Sequence, residues 1–296
     1  MRAPEFPGTA PPLPEQPETS VAESAEEQLS PVSLLPMGAS EPQSYNTLEA
    51  ACANARSGSI IELRYNGFLP NSDEKPITIN KNITIRAAKN YRPVISFSTR
   101  ATPDESDTRM ISIREGALNL VNVDLYLKVR HSVTYPTRDA WSLFSLQGPD
   151  QLSLKNVTMT IDNPDRTPAA VMEIARGIGS DLDKMKMKTA GTPVVINPFS
   201  ISIEDSVIRG ECQMISIKSS RQGTISLENC LVSVEGSLLV NLGSTDMPEE
   251  LNEMQFDLQH STIITGTTPF RIDSGEVQRF LIPVSVTTEN CLYALN

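Results

Sequence analysis

The sequence predicts an all-β solenoid: a right-handed parallel β-helix with three short strands per coil and about seven coils, behind a capping helix and an acidic linker. Three observations point there. Segments of one pattern recur at a spacing of roughly 25–35 residues where no loop is inserted. Within each segment the chain turns on a single Asn, Asp or His, without Gly or Pro, and returns at once to alternating apolar and polar residues. A short amphipathic helix stands just before the first repeat, where a solenoid needs a cap.

The linker comes first. Residues 1–42 hold seven Glu against the single Arg2, and nine of the 22 prolines. That segment carries −6 of the net charge of −11. An acidic, Pro-rich stretch with almost no aromatics cannot bury enough apolar surface to offset its ordering entropy, so it reads as a disordered linker. A PxxP-type ligand in PPLPEQPE is the alternative. The domain proper is expected over residues 43–296.

The cap follows in TLEAACANARSG. Thr47 is suited to the N-cap; Leu48, Ala51, Cys52 and Ala55 form one apolar face, and Gly58 supplies a C-terminal stop. Such a helix, over about residues 47–56, would cover the open end of the core and the first strand edge. The strands SIIEL and ITINKNITIRA come next.

The repeats make up the rest. LNLVNVDLYL from Leu118, LSLKNVTMTI from Leu152, ISIEDSVIRG from Ile201, ISLENCLVSV from Ile225, FDLQHSTIIT from Phe256 and VTTENCLYAL from Val286 align as strand, polar corner, strand. Third strands are expected at Met110, Trp141, Val171, Met214, Leu238 and Phe270. The corner residues are Asn122, Asn156, Asp205, Asn229, His260 and Asn290. A hairpin would need a reversal, whereas these corners let the chain keep winding. Asn tolerates the left-handed region, and its amide can bond the next Asn in a stack. The six are expected to form a structural ladder, with the Asn229 amide buried between neighbours. Of the four cysteines, Cys230 and Cys291 share the context ENCL, which suggests stacked free thiols; a disulfide, or a metal or catalytic role, are the other readings.

The entry segment YNTLEAACANARSGSIIELRYNGFLP, with PITINKNITIRA and the LENC and LKNV corners, resembles the right-handed parallel β-helices of the pectate-lyase-like and pectinesterase-like superfamily. The resemblance covers about residues 45–296 and implies the fold; that fold hosts lyases, hydrolases, esterases and non-enzymes alike. Linker plus β-helix is also similar to C-terminal regions of large planctomycete proteins, some of which begin with a serine/threonine kinase domain. No Gly-rich loop, HRD or DFG signature of a kinase occurs in this sequence.

The resemblance also implies where to look for catalysis. The NTD, DD, GHG and RIK set of polygalacturonases is not present in order; SIKSS around Lys218 is its nearest echo. A pectate-lyase-like site would need acidic calcium ligands. Asp104, Glu105 and Asp107 cluster in TPDESDTR, which reads as a solvated loop, with a calcium site as the alternative. His131 opens a loop and His260 occupies a corner, so neither is placed for acid–base work. Trp141, the sole Trp, either covers the core or stacks on a sugar ring. GIGSDLDKMKMKTAG, which contains Lys186, reads as a surface excursion. Candidate binding residues are therefore Trp141, Asp104, Asp107 and Lys186, on or beside loops at 98–109, 128–140, 177–193 and 243–254. No catalytic residue, metal ligand or cofactor is assigned.

The acidic balance argues against nucleic acid, because no basic stripe exists to neutralise phosphates. No stretch reaches the length of a membrane-spanning helix. The opening MRAPEFPGTAPP lacks the apolar run of a signal peptide and reads as the middle of a linker. The chain is thus expected to belong to a longer protein, with its compartment, an extracytoplasmic one included, left open. The expected function is a non-catalytic recognition or scaffold domain for a protein or glycan partner. The rival is a polysaccharide-active enzyme with an atypical site, and a third reading is a spacer between other modules. The outward strand positions, rich in Ser, Thr and Asn, favour the first.

Overall fold

A computed structural model describes residues 30–38, 41–69, 75–99, 108–130, 140–148, 150–175, 198–244, 253–273 and 280–295. The described chain winds into three parallel sheets, each strand pairing with its equivalent one coil earlier and one coil later. The first sheet runs from Ser59–Leu63 through Ile83–Ala87, Ala117–Val121 and Gln151–Lys155 to Val284–Glu289. The second begins at Gly67–Phe68 and ends at Leu292–Leu295; the third begins at Ile77–Ile79 and ends at Phe270–Ile272. With seven strands in the third sheet, the described residues form seven full coils and an eighth that contributes to the first two sheets.

Alternation explains the core. In the first sheet Ile85, Leu120, Leu154, Ile203, Leu227 and Leu258 lie in one register column, all buried. Each such aliphatic side chain contributes about 1.5–3 kcal/mol by leaving water. The column ends in Thr288 of the last coil. At this end of the solenoid the apolar residues emerge: Ile272, Leu292 and Leu295 are exposed.

The six corners fall where the repeats place them, and the backbone says why. Asn122, Asn156, Asp205, Asn229, His260 and Asn290 all have φ between 50° and 58°. A left-handed residue turns the chain without reversing it, and the residue types that tolerate this conformation are few. Each of the first five also donates its backbone N–H to a carbonyl of the next coil, as Asn229 does to Gln259 at 3.0 Å. The side-chain ladder is a set of pairs rather than one continuous chain. Asn156 Nδ2 donates to Asn122 Oδ1 at 2.8 Å, Asn229 Nδ2 to Asp205 Oδ1 at 2.8 Å, and Asn290 Nδ2 lies 3.3 Å from His260 Nε2. The break before Asp205 follows from its chemistry: a carboxylate has no proton to donate back to Asn156.

All six corner side chains are exposed, which corrects the expectation that the Asn229 amide is buried. The left-handed turn selects these residues, and it does so at the surface. Asn229→Ala is therefore expected to cost about 1 kcal/mol, from left-handed strain and one exposed hydrogen bond. Asn229→Gly should cost less, because glycine accepts this φ freely. Asn229→Asp would set a second carboxylate against Asp205, with a deficit that shrinks as the pH falls and one of the two takes a proton. Denaturant midpoints at pH 7 and pH 4 check all three; equal midpoints for Ala and Gly would remove the strain explanation.

The residue after each corner points inward. Val123, Val157, Ser206, Cys230 and Ser261 are buried there, and Cys291 is half-buried in the last coil. Ser206, Cys230, Ser261 and Cys291 each donate to the carbonyl two residues back, at 2.6–3.3 Å. Cys230 and Cys291 share this position as free thiols, with Ser261 standing between them. Burial pushes the Cys230 thiol up to about 11.

At the N-terminal end, Thr47 caps Leu48–Asn54, its Oγ1 accepting from Ala50 N at 3.2 Å. Leu48, Ala51 and Cys52 are the buried face. The helix covers the end of the core, but a strand covers the edge: Val32–Leu35 pairs antiparallel with Ser59–Leu63, and Gln43–Tyr45 pairs with it in turn. An open ladder needs hydrogen bonds, which a helix cannot supply. Val32 and Leu34 belong to the core, so the linker expected over 1–42 ends before Ser30 at the latest; residues 1–29 lie outside the described residues. No described helix is long and apolar enough to cross a membrane.

Candidate functional site

The third sheet departs from simple alternation. Trp141–Leu146 and Ala169–Ile174 are buried at every position. Part of the reason is a bend. Consecutive residues Leu143 and Phe144, Val171 and Met172, and Met214 and Ile215 all join the core. The pairing passes from Ser142–Ala170 directly to Phe144–Met172, skipping the residue at the bend. Beyond it, Ser112, Ser145, Glu173 and Ser216 form a register column of polar residues that are nevertheless buried. The segments outside the described residues at 70–74, 100–107, 131–139, 176–197, 245–252 and 274–279 all border third-sheet strands in sequence.

At the centre of the column sits Glu173, with its side chain 1% exposed. Arg109 Nε lies 2.9 Å from its Oε1 and Lys218 Nζ 2.7 Å from its Oε2. The two cations come from the second and fifth coils and meet on a carboxylate from the fourth. Both carboxylate oxygens are thus held by charge-assisted bonds. At the start of the neighbouring strand Trp141–Leu146, Ser142 Oγ and Trp141 Nε1 are buried without a partner among the described residues.

A second buried charge holds the corner from the third sheet back to the first. Arg221 donates through Nη2 to Leu146 O at 2.8 Å and Ala175 O at 3.2 Å, and through Nη1 to Gly148 O. Its guanidinium carbon stands 5.5 Å from the Phe199 ring centroid. Asp150, buried beside it, accepts from Gln147 N and Gly148 N at 2.7 and 2.6 Å. Burial pushes the Arg221 guanidinium down to about 10, which leaves it charged at neutral pH. Burial raises Asp150, while the two backbone N–H groups and Arg221 pull it back down.

Of the residues read from the sequence as binding candidates, Trp141 is fully buried in the core opposite the small Ala169, so it offers no ring face to a sugar. Covering the core is its role. Asp104, Asp107, Lys186 and His131 lie outside the described residues. Sequence reading passed over Arg109, Glu173 and Arg221, and met Lys218 only as the nearest echo of a polygalacturonase motif; the one available signal was a lone Glu within the apolar run AAVMEI. Among the described residues no group of three His, Cys, Asp or Glu side chains is gathered as a metal ion would need. A scan of known protein families and a search of curated proteins found no match to this chain.

Proposed function

We propose that this chain is a non-catalytic recognition and scaffold domain, offering the third-sheet face and the loops around it to a protein or glycan partner. The observation that carries this reading is the state of Glu173. Proton transfer in polysaccharide cleavage needs a carboxylate that reaches the substrate, usually paired with a second acid. Glu173 is enclosed and doubly ion-paired, and no second carboxylate shares its register column among the described residues. Such a cluster stiffens a surface rather than working on a substrate. The likeness of the entry segment and corners to pectate-lyase-like β-helices supports the same fold-level reading, with a place as the C-terminal part of a larger, kinase-linked bacterial protein.

Incubation with polygalacturonate, with and without calcium, is expected to yield neither unsaturated products nor new reducing ends. Sustained turnover that disappears in Glu173→Gln, or in the Asp104→Asn, Asp107→Asn double variant, would overturn the reading in favour of a polysaccharide-active enzyme.

A further inference from the structure

The outer face of the second sheet carries a concavity that no part of the proposal above uses. Its floor is one register row: Tyr126, Thr160, Arg209, Ser233 and Ile264, from five successive coils. At the usual spacing between paired strands the row is roughly 19 Å long. Asp162, Glu211 and Glu235 line the side nearest the third sheet, and the hollow encloses about 430 Å³. Volumes of that order are typical of small-ligand sites.

The walls are fixed by bonds reaching across coils. Tyr126 donates its hydroxyl to Asp162 Oδ2 at 2.6 Å and packs edge-on against Phe68, with ring centroids 5.4 Å apart. Asn163, fully buried, donates its N–H to a Glu211 carboxylate oxygen at 3.0 Å and its amide to the Glu211 carbonyl at 2.9 Å. Arg166, from the same corner, holds both oxygens of Glu235 at 2.9 Å. Gly210 completes the hollow. A Cβ there would stand 2.0 Å from Ile161 O, so the backbones meet where a side chain would otherwise intrude.

What these anchors leave over is a set of unused polar groups. Arg209 commits Nε to Thr160 Oγ1 at 3.0 Å, and its two Nη groups carry no bond among the described residues. The Ser233 hydroxyl is likewise uncommitted there. Each of the three carboxylates retains lone pairs beyond the bonds just named. Donors on the floor therefore face acceptors along one wall, with a half-buried aromatic at one end, which suits a ligand whose every polar group both donates and accepts. Counting Arg166 and Arg209 against Asp162, Glu211 and Glu235 leaves the hollow at −1, which disfavours an anionic ligand.

We infer that this groove is a binding site for a neutral saccharide chain, with Arg209 and Ser233 donating to ring hydroxyls and the acidic wall accepting from them. The inference rests on the recognition reading and narrows its partner to a glycan at a second face. To test it, the full chain is titrated by calorimetry with neutral β-1,4-linked hexasaccharides of glucose, xylose and mannose, with hexagalacturonate, and with an oligolysine peptide. At least one neutral hexasaccharide should bind, and hexagalacturonate should not. Arg209→Ala, at an exposed position, should weaken binding by at least about tenfold. Lys155→Ala, on the first sheet, should leave it unchanged. No neutral binding, or binding indifferent to Arg209→Ala, overturns the groove while leaving the third-sheet reading intact. Binding of oligolysine alone, lost in Glu235→Gln, overturns the saccharide assignment in favour of a basic peptide. Cleavage of any of these chains would instead sink the non-catalytic reading itself.

Discussion

Glu173→Ala is expected to cost about 3–5 kcal/mol of folding stability, the range seen when one member of a buried ion cluster is removed and its partners stay behind. The reason lies in what remains. Arg109 and Lys218 are 22% and 18% exposed at the side chain, and both point at a carboxylate that is no longer there. Two partly desolvated cations then face each other across an empty site in low dielectric, a repulsion that surface pairs escape through solvent and salt. Glu173→Gln keeps the shape and some hydrogen bonding but not the charge, so it should recover only part of the loss. Adding Lys218→Met to Glu173→Ala should restore stability relative to the single variant, because it relieves the repulsion between the two cations. Urea unfolding at neutral pH measures all four proteins. A loss below about 1 kcal/mol for Glu173→Ala would mean that this carboxylate behaves like an exposed surface pair.

That cluster also marks where reading the sequence runs out. The corners were legible because φ near 52° restricts Asn229 and its equivalents to a handful of residue types, and the restriction recurs every coil. The cap was legible because Thr47 and the apolar face of Leu48, Ala51 and Cys52 are local signals. Glu173, Arg109 and Lys218 are different. Arg109 and Lys218 come from other coils, 64 and 45 residues from Glu173, whose strand has a buried outward face, and no periodicity predicts that an outward residue will be enclosed. Even at the corners the sequence carried conformation and not exposure: an Asn placed by its backbone is needed whether or not its amide sees water. Val32–Leu35 escaped for a related reason. Nothing within a Pro-flanked VSLL shows that a strand edge some twenty-five residues later will need covering.

Arg221→Ala is expected to cost about 3 kcal/mol or more, and to do so in a way that depends on pH. The side chain lies in the loop sequence SSRQG, yet it is nearly buried and ties together Leu146, Gly148 and Ala175, carbonyls of two different coils. Leu146 O and Gly148 O keep one backbone donor each, from Ala175 N and Asp150 N, so the loss is not three orphaned acceptors. It is the charge-assisted bonds, each worth about 1.5–3 kcal/mol, together with the guanidinium packed over Phe199. Arg221→Lys should recover less than half, since a single ammonium cannot reach carbonyls that a planar fork reaches at once. The pH dependence comes from Asp150. Its carboxyl is already raised by burial, and Arg221 is one of the groups holding it down. With the guanidinium gone, the folded protein binds the Asp150 proton more tightly still, while the unfolded chain releases it in the ordinary carboxylate range near pH 4. In that window the native state holds more protons than the unfolded one, so stability falls as pH rises. The deficit of Arg221→Ala should therefore be smallest at acid pH and grow toward neutrality, and Asp150→Asn in the same background should flatten it. A deficit equal at pH 4 and pH 7 would mean that Arg221 acts by hydrogen bonding alone, and a wild-type midpoint for Arg221→Lys would mean that a point charge suffices at this corner.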